Sequence, residues 1–178
     1  FLTLDKLKEA TNAKFSSLNG MNWKDGNSFI ISNGSGYYLY DIAKKTARLV
    51  LTVPEGAENV TPDELHSTLA YTKENNLFIS GPKGEIAVTS NTNKNIVSGQ
   101  TISRSEFGIS GGIFWSPKSK YLAYYSKDES AVADYPLLDI TTTPGSLNSI
   151  KYPMTGQPSE NPKVGIYNLS TKSTVFIT

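Results

Sequence analysis

The sequence predicts an all-β protein: a partial β-propeller of about three four-stranded blades, opened by a short N-terminal helix. Short runs rich in Ile, Leu, Val, Phe and Tyr alternate with Gly, Asn, Ser and Lys turns every eight to twelve residues or so, the spacing of an all-β fold. A second observation is repetition. An aromatic residue ends one strand, a polar turn follows, and an apolar strand opens six residues later, at Trp23 to Phe29, Tyr71 to Leu77 and Trp115 to Tyr121. Those anchors lie 48 and 44 residues apart (23 to 71, 71 to 115), a period that suits propeller blades. Third, the second halves repeat too: Tyr40-Asp41-Ile42, a turn and Arg48-Leu49-Val50 match Tyr167-Asn168-Leu169, a turn and Val175-Phe176-Ile177. A weaker middle copy runs from Ile86-Ala87-Val88 to Ile96-Val97. A two-sheet sandwich is the alternative on pattern alone.

Taken in order, residues Leu2 to Ala10 form the one helical segment, with Leu4 and Leu7 a turn apart and Thr3 or Asp5 placed to cap it. Residues 1–20 are read as a lead-in and 21–178 as the blades. Strands are expected at Phe29–Ile31, Tyr37–Ile42, Arg48–Thr52, Leu77–Ser80, Glu85–Thr89, Tyr121–Tyr125, Val164–Leu169 and Thr174–Ile177. Three blades are fewer than the four to eight or so of a closed propeller, so open strand edges and a longer parent protein are expected. The opening Phe1-Leu2-Thr3 reads as a processed start or the edge of a fragment. Between Tyr125 and Val164 lies the longest loop, holding five of the nine prolines. Loops of that length are functional or disordered, and its apolar content argues that it packs against something.

Composition narrows the function classes. Seventeen basic and sixteen acidic residues leave a net charge of +1, without a cluster of lysines, so nucleic acid is not an expected partner. No apolar run is long enough for a membrane span. The absence of cysteine removes disulfides, thiolate metal sites and a Cys nucleophile, and the single histidine, His66, removes a histidine metal cluster. No metal site and no cofactor are expected.

The candidate chemistry centres on Thr101–Pro117. Gly108-Ile109-Ser110-Gly111-Gly112 fits G-x-S-x-G, but an apolar strand follows where a nucleophile elbow needs a helix, so it is read as a chance match and the glycines as bend formers. His66 is read as an exposed or capping residue rather than a base. Asp128-Glu129 is read as a rim charge or turn acceptor. Glu106, flanked by Arg104 and Phe107, is the strongest candidate: a carboxylate in a Gly-rich bend is suited to holding an ammonium group. A surface pair between Arg104 and Glu106 is the bland alternative.

The stretch from Ser105 through WSPKSKYLAYYSKDESAVADYPLLDI to IKYPMTGQPSENPKVGIYNLSTKSTVFI resembles the N-terminal propeller of dipeptidyl peptidase IV-type serine exopeptidases, and more closely the bacterial prolyl tripeptidyl peptidase branch. The resemblance implies a propeller over a C-terminal α/β-hydrolase domain that carries the catalytic triad, so no catalytic residue is expected in this chain. It implies substrates that are peptides with a free N-terminus, cut after proline, and an exported, periplasmic or cell-envelope location. By position Glu106 matches the second of the two glutamates that hold the substrate amine, and Ser105 stands where the first would be. The arginine-bearing loop of the two-glutamate member is reduced to Asn33-Gly34-Ser35-Gly36. Both departures favour a roomier site. Glu106, Phe107 and Arg104 are therefore the expected substrate-binding residues of a gating propeller portion that is inactive by itself. The rival is a non-catalytic propeller serving as an interaction scaffold. Oligomeric state is left open, a homo-oligomer among the options.

Overall fold

A computed structural model describes residues 2–177; Phe1 and Thr178, the ends of the reading above, lie outside the described residues. Helix α1 (Leu4–Thr11) begins at Thr3, whose hydroxyl oxygen accepts the Lys6 amide at 3.3 Å, and closes on Asn12 in the left-handed region (φ 54°). Thr3 is thus the cap, while Asp5 sits in the first turn, where its charge favours the positive end of the helix. Leu7 is fully buried and carries the docking of this helix against Phe29, Ile31 and Tyr40.

The chain is all-β after that helix. The first sheet is a meander of β1 (Asn22–Asp25), β2 (Ser28–Ser32), β3 (Gly36–Asp41) and β4 (Thr46–Thr52). A second meander follows with β5 (Glu58–Pro62), β6 (Leu69–Lys73), β7 (Asn76–Gly81) and β8 (Gly84–Ala87). The third sheet runs β10 (Ile113–Trp115), β11 (Tyr121–Asp128), β14 (Asn161–Asn168) and β15 (Ser173–Ile177), with β9 (Ile96–Ser98) added to β11. The long insertion is a hairpin, β12 (Asp134–Asp139) and β13 (Ser146–Lys151). Two four-stranded antiparallel sheets and a third of five strands, in which β9 and β10 share one edge of β11, form a partial propeller, not a two-sheet sandwich.

The other two buried apolar clusters lie between consecutive sheets. Leu51 of the first sheet meets Leu69 and Tyr71 of the second. Ala70, Leu77 and Ile79 of the second meet Ile113, Leu122, Tyr124 and Tyr167 of the third. Each sheet therefore buries a face on its neighbour, the packing that a blade needs because one small sheet cannot shield both faces alone.

Two expectations need correction. The Tyr71 repeat is a genuine hairpin, but it joins the second and third strands of its sheet, whereas the Trp23 and Trp115 copies join the first and second. The middle copy of the second half fails: Ile86 lies in β8, and Ile96-Val97 form β9, which pairs with β11 in the next sheet. A short aromatic-turn-apolar pattern recurs at any hairpin, so it does not say which hairpin it is.

His66 also departs from expectation. It is only 8% exposed, has a positive φ of 52°, and its Nδ1 has no hydrogen-bond partner. Its ring meets Tyr37 edge-on at 5.5 Å. Burial, then the neighbouring Lys24 ammonium, hold its pKa below the usual histidine value. The neutral ring is the form the fold accepts. Its contribution is present above the unfolded pKa of about 6.5 and is lost as pH falls through the lower folded value. Acid-induced loosening beginning below about pH 6.5 is expected, and His66→Asn, which tolerates the left-handed backbone, should remove that part of the pH profile in thermal melts. A profile unchanged by the substitution would contradict it.

Candidate functional site

The site begins with an interruption. Both β9 and β10 run antiparallel along the same edge of β11: Ser98 faces Ser126 and Ile113 faces Tyr124. Residues 99–112 leave the sheet between them. The amide of Gly99 donates to the Tyr125 carbonyl at 2.8 Å, and the Tyr125 amide donates to the Gly112 carbonyl at 3.0 Å. One residue of β11 therefore pins both stems of an Ω-shaped loop. The stems touch so closely that a Cβ on Gly112 would overlap the backbone of Gln100. This is the physical reason for that glycine, and it agrees with reading the G-x-S-x-G match as a bend. Ser110 sits exposed in the loop, with a strand and no helix after it.

The loop crest is the short 3-10 turn Ser103–Ser105 followed by Glu106 and Phe107. Ser103, Arg104, Ser105 and Phe107 all have positive φ, between 50° and 64°. Non-glycine residues avoid that region, so the crest is a strained piece of backbone held by its surroundings. Glu106 is exposed, and Phe107 is 87% exposed beside it. Together with Arg104, Tyr152, Lys127 and Glu160 they line a cavity of about 250 Å³ between the loop and the root of the β12–β13 hairpin.

Arg104 does not pair with Glu106. Its guanidinium lies 4.6 Å from the centre of the Tyr152 ring, and Nη1 donates to the Lys151 carbonyl at 3.4 Å. Among the described residues no ion pair engages Glu106, which lines the cavity as a carboxylate without a counter-ion.

Sequence reasoning missed the cavity floor. Lys127 at the end of β11 reaches Glu129 Oε1 at 2.8 Å and Glu160 Oε2 at 3.0 Å, with all three side chains at most 17% exposed. Burial alone would lower the Lys127 pKa, but the hydrogen bonds it donates to Glu129 and Glu160 outweigh it and raise it. Lys127 therefore stays charged. Glu160 also accepts the Ser103 amide on Oε1 at 2.6 Å, across a separation of 57 residues. Asp128 is a turn acceptor for the Ser130 amide at 2.8 Å, so the two members of the Asp128-Glu129 pair part company. Lys127 lies in β11 and Glu129 just past its end, and nothing local in the sequence pointed to Glu160. Among the described residues no group of three or more His, Cys, Asp or Glu could hold a metal ion.

Residues 24–178 match the sequence family described as the dipeptidyl peptidase IV (DPP IV) N-terminal region. The chain belongs to that family. A crystal structure from Bacteroides ovatus, of a protein assigned as a dipeptidyl aminopeptidase IV, superposes over 99% of this chain with a TM-score of 0.80 and 35% identity. Porphyromonas gingivalis dipeptidyl peptidase 4 shares the fold over 90% of the chain, with a TM-score of 0.65 and 22% identity. Fungal proteins named dipeptidyl-aminopeptidase B are also similar: that of Aspergillus terreus is 25% identical over 159 residues and that of Arthroderma gypseum 27% over 152. These alignments cover 79% and 73% of this chain but only 17% and 16% of the fungal proteins, and 25% of the Bacteroides chain. The DPP IV N-terminal region here is thus a fraction of the length of its relatives. Within the described residues no helix is long and apolar enough to cross a membrane.

Proposed function

We propose that this DPP IV N-terminal region is the substrate-gating, amine-recognising part of the propeller of a post-proline serine exopeptidase that releases dipeptides or tripeptides. The observation that carries the reading is Glu106: a carboxylate without a counter-ion, on a pinned loop at the mouth of a cavity. An exopeptidase must recognise a free amine and fix its distance to the nucleophile. A carboxylate held by its backbone does both, because binding energy at the amine positions the bond to be cut. Phe107 and Arg104 form the rest of the subsite wall. Ser105 beside Glu106 leaves one acid without an ion-pair partner in this subsite, which favours the roomier tripeptide register.

In this reading the catalytic triad belongs to a C-terminal α/β-hydrolase domain, the described blades alone hydrolyse nothing, and the whole protein is exported to the periplasm or cell envelope. Further blades would cover the exposed apolar residues of the third sheet, among them Phe114, Tyr121 and Val175.

The test uses the full-length protein and a short post-proline peptide anilide, with its amine free or acetylated. A charge-assisted hydrogen bond contributes about 1.5–3 kcal/mol, so Glu106→Ala should raise KM for the free-amine peptide about 10- to 100-fold. Any cleavage of the acetylated peptide should change far less. Equal losses on both would end the anchoring role.

A further inference from the structure

The geometry points to Glu160 as a positioning residue that, braced by Lys127 and Glu129, holds the strained crest of the Ω-shaped loop and through it sets the place of Glu106. This rests on the amine-anchoring reading for its consequence in turnover, although the mechanical part stands on the fold alone.

The crest cannot hold itself. Four of its five residues from Ser103 to Phe107 have positive φ, and each left-handed non-glycine residue is disfavoured, so the set persists only where outside contacts over-determine it. Its internal bonds are short-range: Ser105 to Ile102 at 3.1 Å, Glu106 to Ser103 at 2.9 Å and Ile109 to Glu106 at 3.0 Å. The outside contacts are few. Arg104 rests on Tyr152 and the Lys151 carbonyl, both at the surface, where such contacts restrain little. Glu160 is different. Its Oε1 takes the Ser103 amide at 2.6 Å, and Ser103 in turn offers its carbonyl to the Glu106 amide. One residue separates the two carboxylate-bearing positions along this chain of bonds.

Lys127 explains why Glu160 stays put. A lone buried carboxylate would seek water, but the Lys127 ammonium takes its second oxygen, and Glu129 takes the other side of the ammonium. Each oxygen of Glu160 then has one fixed partner, one on β11 and one on the crest. The brace therefore couples the rigid sheet to the strained loop, and it links three segments remote in sequence. Supporting groups of this kind decide whether a binding residue sits in its productive place.

The test again uses the full-length protein, with the free-amine and acetylated peptide anilides, and adds hydrogen–deuterium exchange. In Glu160→Ala and Lys127→Met, amides of residues 103–109 should exchange at least tenfold faster, while those of the β6–β7 hairpin stay unchanged. In Glu106→Ala exchange of the crest should not rise. KM for the free-amine peptide should rise about tenfold in Glu160→Ala, with kcat within about twofold. Lys127→Arg keeps the charge and both acceptors and should restore the parent values. The double variant Glu106→Ala/Glu160→Ala should be no worse than Glu106→Ala alone, because the second change acts through the first. Losses that multiply in the double variant, fall equally on both peptides, or leave crest exchange untouched overturn the proposal. Faster crest exchange without any selective effect of Glu106→Ala would uphold the brace and overturn the amine-anchoring reading instead.

Discussion

Asp63→Ala should lower the stability of the protein by about 3 kcal/mol, a fall of roughly 6–12 °C in the unfolding midpoint of a unit of this size. Asp63 is 1% exposed and lies in the turn between β5 and β6. Its Oδ1 accepts the amides of Ser67 at 2.7 Å and Thr68 at 3.0 Å, and Oδ2 accepts the hydroxyls of Ser67 at 2.9 Å and Ser119 at 2.7 Å. Ser119 belongs to the third sheet's first turn, and Trp115 of that sheet donates its indole N–H to the Thr61 carbonyl at 2.9 Å. On the other side Lys24 of β1 reaches the Glu64 carbonyl at 2.7 Å and Tyr37 of β3 meets His66. The Asp63–Thr68 turn is thus the point where all three blades are tied. Alanine would strand two amides and two hydroxyls at once.

The same residue predicts a pH signature. Burial would raise the Asp63 pKa, but the Thr68 amide, the Ser119 hydroxyl and the two Ser67 groups outweigh it and hold it below the usual value. A lowered folded pKa gives stability that is complete above the unfolded value of about 3.9 and is lost as pH falls through the folded one. Asp63→Asn keeps an acceptor for the amides and can donate to the hydroxyls. It should cost less than alanine at neutral pH and flatten the acid limb below about pH 4. Melts in which alanine and asparagine behave alike would remove the clamp.

Strand positions were legible because burial here follows the hydrophobic pattern. Phe29-Ile30-Ile31 and Leu77–Ser80 fall in strands as expected, with Phe29 and Ile31 buried against helix α1 and Leu77 and Ile79 buried between sheets. Strand β1 was marked only by its aromatic Trp23, and β5 escaped notice, because Asn22–Asp25 and Glu58–Pro62 are sheet-edge strands with little apolar signal. The long insertion escaped for a related reason: β12 and β13 pair with each other, and Leu138, Ile140 and Leu147 stay in solvent rather than in a core. Of the residues lining the cavity, Glu106, Phe107 and Arg104 could be named from a glycine-rich bend together with the family resemblance. The brace from Lys127 to Glu160 to Ser103 could not, since it exists only after the hairpin has folded back and brought residue 160 to residue 103. His66 misled for the opposite reason. Polar neighbours in sequence suggested exposure, while the corner between blades buried it.

The largest effect is expected from Gly112→Ala, at about 3 kcal/mol or more, with loss of amine-dependent binding as well. A Cβ there would overlap backbone atoms of Gln100, which no side-chain rotation can move aside. Backbone on backbone can be relieved only by parting the two stems of the loop. Parting them breaks the bonds from Gly99 to the Tyr125 carbonyl and from the Tyr125 amide to Gly112, and so unpins the carrier of Glu106. Gly111→Ala is the control one residue away. Gly111 has a φ of 76° but nothing within 4 Å of an added Cβ, so it should cost only the local strain, about 1 kcal/mol. Conformational freedom is the usual reason for a glycine in a bend, yet here the glycine with ordinary φ should matter more than its neighbour. Thermal melts with hydrogen exchange at the Tyr125 amide read the difference directly. A Gly112→Ala variant that melts no earlier than Gly111→Ala, with Tyr125 still protected, would show that the stems have room to spare and that the loop is not pinned as described.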